Sequence, residues 1–246
     1  MMFQFLTYIL SPITHLYYGF VFGVSHVFQV VAHRLFGEKA RLKVIVGLNF
    51  CLTRALYIMG CKVVITGLEN IPDSSRPLII ISNHQSFYDI PIIAHLFRKN
   101  TVKYVAKASL GKGIPTISYN LVHGGSALVD RSNGAQAVRA IFQLGKHIQD
   151  NNYAACIYPE GTRSVTGKVN EFQTAGINTL LRSAPSARVV PFVIKGHSGL
   201  ISKSNVWLRV GQRIEYHILP EIEPKGLDVS EMTKNIQTKI TEIVEG

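Results

Sequence analysis

The first 33 residues, MMFQFLTYILSPITHLYYGFVFGVSHVFQVVAH, contain no Asp, Glu, Lys or Arg. A helix built from such a run has no charged stripe to turn toward water. The run is longer than the roughly 20 apolar residues that cross a bilayer, but Pro12, Gly19, His15, His26 and scattered Ser and Gln interrupt it. Two short helices dipping into one leaflet account for those breaks as well as a single span does. Phe3, Phe5, Tyr8, Tyr17, Tyr18, Phe20 and Phe22 suit a membrane–water interface. A buried N-terminal hairpin of a soluble protein is the competing reading. With no positive n-region and no small-residue cleavage site, the segment is not read as a signal peptide. Arg34, Lys39, Arg41 and Lys43 follow, and by the positive-inside rule they place the rest of the chain on the cytoplasmic face of the inner membrane. Residues 38–59 read as an amphipathic helix ending near Gly60. The expectation is an N-terminal membrane-associated helical hairpin segment over 1–60 and a main domain over 61–246.

Beyond residue 60, strand-like and helix-like runs alternate. Strands are predicted over 62–66, 78–82, 103–106, 127–129, 154–158, 189–194 and 207–210, and helices over 90–98, 133–149 and 175–182. That order predicts an α/β fold with a mixed, mostly parallel central sheet flanked by helices. Residues 220–226 read as a linker, and 228–244 as a polar closing helix with Ser230 as a possible cap.

Charge narrows the partners. The 246 residues carry 26 Lys+Arg against 15 Asp+Glu, a formal net charge of +11. Such an excess suits nucleic acid, a lipid surface or an acidic protein. No acidic residue lies between Asp89 and Asp130, whereas Arg98, Lys99, Lys103, Lys107 and Lys112 do. This is either a solvated basic face or a surface for phosphate or anionic lipid. Cys51, Cys61 and Cys156 have neither metal-ligand spacing nor the pattern of a disulfide framework. Cys156, in an apolar run, reads as buried filler.

Two stretches can carry chemistry. In ISNHQSFYDIP, residues 81–91, His84 and Asp89 lie five apart on a strand-to-helix turn, with Pro91 suited to the helix start. Imidazole accepts a proton near neutral pH, and a carboxylate on its other nitrogen fixes the tautomer. Taken alone, the pair reads more simply as a capping Asp89 beside a satisfied His84. In IYPEGTRSVTGKV, residues 157–169, a strand runs into Glu160, Gly161, Thr162 and Arg163. Gly161 lets backbone approach a ligand, Arg163 can grip phosphate bidentately, and Glu160 can orient the arginine or a ligand hydroxyl. GGSALVDR, residues 124–131, delivers Arg131 at the end of another strand.

Two other patterns are near-misses. Gly161 to Lys168 has one residue too many for a P-loop and ends in Val169 rather than Ser or Thr. GHSGL, residues 196–200, lacks the last glycine of a nucleophile elbow, although Ser198 keeps a membrane-bound serine esterase open as an alternative. A non-enzymatic lipid- or nucleic-acid-binding protein is the third reading, but no nucleic-acid motif supports it and it leaves His84 and Asp89 without a purpose.

In order and spacing, NHQSFYD, GSALVDR, YPEGTRS and VVPFVIKG resemble the blocks of the glycerolipid acyltransferase family, in particular the bacterial 1-acyl-glycerol-3-phosphate acyltransferases. The resemblance covers about residues 62–200. It implies transfer of an acyl group from a thioester, on acyl carrier protein or coenzyme A, to the free hydroxyl of a lysophospholipid. It makes His84 the general base and Asp89 its orienting carboxylate. It assigns Arg131, Glu160, Gly161, Thr162 and Arg163 to the acceptor's phosphate, with Lys107 as a further candidate. No metal, no cofactor beyond the thioester co-substrate and no covalent acyl-enzyme are expected. The chain departs from the pattern at Ser109, where many members have glutamate, at Ser118, where glycine is usual, and at Gln173 and Thr174, where lysine is common.

Overall fold

The N-terminal segment turns at Gly37. In the computed structural model, which describes residues 2–164, 166–200 and 207–246, helix α1 (Met2–Ile58) is two arms broken at this residue. Its φ of 77° and ψ of −171° lie in a region essentially reserved for glycine. The arms return antiparallel. Tyr17 and Tyr18 donate their hydroxyls to the carbonyls of Cys51 and Leu52 at 2.8 and 3.1 Å, and Val21 packs on Leu48 and Leu52. Of the two readings left open for residues 1–33, the first arm is one continuous helix and not two short ones. The first arm passes through Pro12 and Gly19 without stopping, giving up one backbone bond at the proline. The predicted helix over 38–59 is the second arm. The outer face of the first arm stays apolar and uncovered: Leu16 is 74%, Phe20 70% and Phe36 72% exposed.

The bend is fastened to the main domain by charge. Arg41 is completely buried. Its Nε and Nη2 donate to the two oxygens of Glu38 at 2.7 Å, and Nη1 donates to Asn120 Oδ1 at 2.6 Å. Lys103 is also buried, 3.9 Å from Glu38 and over the Tyr153 ring. Lys103, one of the cations read as a basic face, and Arg41, read as a positive-inside cation, are thus internal, because Glu38 and Asn120 offer paired sites that water would otherwise supply.

Among the described residues, seven strands form one sheet in the order β1-β7-β6-β2-β5-β3-β4. They are β1 (Lys62–Thr66), β2 (Leu78–Ser82), β3 (Val102–Lys107), β4 (Ala127–Val129), β5 (Ala154–Ile157), β6 (Arg188–Lys195) and β7 (Arg213–Ile218). All pairings are parallel except β6 with β7. The sheet is mixed and mostly parallel, as the alternation predicts. β2 has no exposed residue, since strands covered on both faces read as unbroken apolar runs. Leu78 and Ile80 point to one side, with Met59, Ile93 and Phe97. Ile79 and Ile81 point to the other, against α4 (Gly134–Asn151), α5 (Thr174–Ser183) and α7 (Val229–Glu245) through Leu144, Leu180 and Ile236. Cys156 is fully buried, as read.

Four local expectations need correction. Residues 207–210 do not form a strand. The N–H groups of Leu208 and Val210 are taken by Ser11 and Thr7 hydroxyls on α1, and the segment holds only a single bridge residue, Leu208. The seventh strand is instead 213–218, whose Ile214, Tyr216 and Ile218 alternate inward. A helix α3 (Pro115–His123) was not foreseen; Pro115 opens it, and Ser118 accepts the N–H of Ile114. Asp228, rather than Ser230, caps α7 by accepting the N–H of Glu231 at 2.8 Å.

Candidate active site

β2, β3, β4, β5 and β6 run parallel, so their C-terminal ends share one edge of the sheet, where α/β folds place ligands. The turn from β2 into α2 (Asp89–Leu96) carries His84 and Asp89. Asp89 is completely buried. Its Oδ2 accepts three hydrogen bonds: from His84 Nδ1 at 2.7 Å, from the N–H of Gln85 at 2.7 Å and from the N–H of Ser86 at 2.9 Å. Asp89 is the first residue of α2, whose N-cap Tyr88 makes no side-chain cap bond, so its carboxylate orients His84 and ties down the preceding turn instead of capping the helix. Burial alone would raise the Asp89 carboxyl, but the hydrogen bonds from His197 and His84 outweigh it and bring it down to about 2.

An ionised carboxylate only accepts, so His84 carries its proton on Nδ1 and presents Nε2 as the acceptor. No hydrogen bond among the described residues occupies that nitrogen. The ring lies flat on Tyr158, with centroids 4.1 Å apart and planes 16° from parallel. Its side chain is 16% exposed, enough to meet a ligand.

The β5 loop closes over the main chain of His84. Glu160 Oε1 accepts the His84 N–H at 2.6 Å, Oε2 accepts the Asn170 N–H at 2.9 Å, and the Ser164 N–H donates to the His84 carbonyl at 2.8 Å. Both Glu160 oxygens are thus engaged by backbone. This differs from the expected phosphate or arginine contact, and a carboxylate facing phosphate would repel it. Asn83 fixes the other flank. Its amide exchanges two 2.8 Å bonds with the N–H and carbonyl of Ile194 on β6.

Gly161, Thr162 and Arg163 are exposed at the tip of the loop. The Arg163 guanidinium lies 3.8 Å from the centroid of the Phe87 ring, which belongs to the His84 turn. Arg163 is thereby brought to the His84 turn. Lys107 and Arg131, also exposed, stand at the end of β3 and just after β4. With strands about 4.8 Å apart, Arg131 starts roughly three strand spacings from β2 and joins the site only as an outer basic group.

Ser198 is not in a triad. Its N–H donates to Gln85 Oε1 at 3.2 Å, and neither histidine nearby pairs with its hydroxyl among the described residues. His84 Nδ1 is on Asp89, and His197 is held at both nitrogens by Asp89 and Tyr216. The esterase reading loses its nucleophile. Sequence reasoning did not pick out Asn83, Tyr158, His197 or Tyr216. Asn83 and Tyr158 stand inside or beside the quoted motifs and were readable as candidates. His197 and Tyr216 are far from His84 in sequence, and no spacing rule joins them to it.

Fold and site together fall in the class of α/β acyl-transferring proteins. The family model described as "Acyltransferase" matches residues 62–195, more than half of the chain, and the chain belongs to that family. The 1-acyl-sn-glycerol-3-phosphate acyltransferase of Borreliella burgdorferi is 30% identical over 190 residues, 77% of this chain and 72% of that protein. One from Chlamydomonas reinhardtii is 30% identical over 152 residues, 61% of this chain and 44% of that protein. The chain spans only about half the length of such algal and yeast relatives. The crystal structure of the 1-acyl-sn-glycerophosphate (LPA) acyltransferase from Thermotoga maritima superposes with a TM-score of 0.78 at 27% identity, covering 97% of this chain and 96% of that one.

Proposed function

We propose that this chain transfers a fatty acyl group from a thioester of acyl carrier protein or coenzyme A to the free hydroxyl of 1-acyl-glycerol-3-phosphate, giving phosphatidic acid. The observation that carries the reading is the His84–Asp89 pair, with Nε2 unpaired among the described residues and Arg163 stacked on the same turn. The printed names of the relatives support the acceptor.

In this mechanism Nε2 takes the proton of the acceptor hydroxyl as its oxygen attacks the thioester carbonyl. The imidazolium is stabilised by the Asp89 carboxylate behind it. The tetrahedral oxyanion collapses, the C–S bond breaks, and the leaving thiolate takes the proton back from His84. The products are the diacyl lipid and a free thiol. Arg163 grips the acceptor phosphate, with Thr162 adding a hydroxyl and Gly161 giving the backbone room to approach. Arg131 and Lys107 supply outer positive charge. Glu160 acts in this scheme by holding the main chain of His84.

The apolar face of the α1 hairpin suits a monotopic protein lying in one leaflet, where a lysolipid resides. That reading puts the main domain on the cytoplasmic face of the inner membrane. The test is to incubate the purified chain with several lysolipids and both thioester donors and to identify products by mass. Diacylglycerol phosphate formed only from the lysophosphatidic acid is the expected result; no acyl transfer to any lysolipid ends the proposal.

A further inference from the structure

Asp89 has a second histidine. Its Oδ2 is saturated by His84 and two backbone N–H groups, whereas among the described residues Oδ1 is bonded by the Nδ1 of His197 alone. His197 is fully buried at the start of α6 (His197–Leu200), the short turn after β6. Its Nε2 is 2.6 Å from the hydroxyl of Tyr216, itself fully buried on β7. Gly196 makes this placement possible. Its φ is +97°, and a Cβ there would stand 2.2 Å from the carbonyl oxygen of Arg213, so only glycine lets the turn press against β7.

The protons of this chain of groups follow from what each can do. The carboxylate only accepts, so Nδ1 of His197 donates to it. Nε2 is then the acceptor, and the Tyr216 hydroxyl donates. The sequence runs Tyr216 O–H to His197 Nε2, His197 Nδ1–H to Asp89 Oδ1, and His84 Nδ1–H to Asp89 Oδ2. With both nitrogens engaged and no exposed surface, His197 meets no substrate. It acts only through Asp89.

We propose that His197, backed by Tyr216, is a positioning residue for the acyl transfer: it holds Oδ1 of Asp89 so that Oδ2 stays aimed at His84. The inference rests on His84 being the general base. Without His197 a buried carboxylate keeps one bare oxygen, which is costly in a low-dielectric interior. It can recover by rotating to share its remaining donors, or by taking up a proton. Either response removes the fixed acceptor that sets the His84 tautomer. An imidazole suits the position because its two nitrogens span from the β2 turn to β7.

Two amide replacements, differing by one methylene, separate positioning from packing. The amide nitrogen of His197→Asn falls near the former Nδ1, whereas that of His197→Gln falls near the former Nε2. Turnover is expected to fall roughly ten- to hundredfold in His197→Leu and His197→Gln, as when a buried charged acceptor loses a donor. Acceptor KM stays unchanged, and His197→Asn recovers most of the loss. Tyr216→Phe keeps the ring and the packing, and turnover falls only a few-fold by loss of one hydrogen bond.

The companion measurement is the imidazole nitrogen spectrum of the histidine-labelled full chain without substrate. His84 is expected as the Nδ1–H tautomer in the wild type and in His197→Asn, and as a tautomer mixture in His197→Leu. Equal turnover in the Leu and Asn variants, or an unchanged His84 spectrum in His197→Leu, overturns the proposal. The spectra need no turnover, so they decide it even if the wild-type chain transfers no acyl group, a result that ends the acyltransferase reading instead.

Discussion

Glu160 accepts the backbone N–H of His84 at 2.6 Å, so the second motif of the site grips the main chain of the first. The same loop returns the Ser164 N–H to the His84 carbonyl. His84 is therefore held from three sides: at its main chain by the β5 loop, at its ring nitrogen by Asp89 and across its ring face by Tyr158.

Glu160→Gln puts an amide N–H against a backbone N–H at one of two buried sites. Leaving a buried donor unmatched costs about 1–3 kcal/mol. The variant is expected to lose that much stability, with lower kcat and an acceptor KM close to the wild type. Denaturant unfolding and steady-state kinetics check this. A raised acceptor KM with unchanged kcat and stability would return Glu160 to the phosphate site.

Arg163 should behave in the opposite way. Arg163→Ala removes a charge-assisted contact of about 1.5–3 kcal/mol, which appears as a large rise in acceptor KM with little change in the donor's. Phe87→Leu removes only the cation–π support, about 0.5–1 kcal/mol at an exposed site, and raises acceptor KM by a few-fold. If donor saturation shifts in Arg163→Ala and acceptor saturation does not, the arginine serves the thioester instead.

Lys103 links pH to stability. Burial is the main cause that pulls its ammonium down from 10.5 to about 8, although Glu38 opposes the shift. Between those values the unfolded chain binds the proton and the folded one does not, so stability from this group rises with pH. It is fully gained near 10.5 and absent below about 8. Unfolding midpoints measured across that range should climb more in the wild type than in Lys103→Met. Parallel curves contradict the assignment.

Leu16 and Phe20 are both exposed on the first arm of α1. The double variant Leu16→Glu, Phe20→Glu should lose sedimentation with anionic vesicles while its thermal midpoint stays near the wild type, because neither side chain is in the core. Undiminished vesicle binding means that another surface meets the bilayer.

Much of this was readable in the sequence, for identifiable reasons. The buried strands announced themselves because β2 and β6 are covered on both faces and so form unbroken apolar runs. The His84 turn and the Glu160 loop were readable because each is local, a few residues after a strand. What escaped depends on long-range contact. Residues 207–210 have strand composition, yet their N–H groups meet hydroxyls on α1 nearly 200 positions earlier. The alternation at 213–218 is itself a strand signal, weakened by the charged Arg213 and Glu215 within it. The place of the hairpin turn, Gly37, depends on the packing of the second arm against the first and has no local signal. Arg41 and Lys103 read as surface cations because their partner, Glu38, reaches them only after folding. His197 joins Asp89 across 108 positions, and no periodicity encodes that pairing.

The central claim is that the imidazole of His84 takes the proton of the acceptor hydroxyl. Its most direct test is to follow thiol release and diacyl product together, from lysophosphatidic acid and an acyl thioester, for the wild type and for His84→Ala of equal circular dichroism. One thiol per diacyl lipid is expected in the wild type, and a loss of both by about 10²–10⁴-fold in the variant. A His84→Ala chain that turns over at the wild-type rate contradicts it.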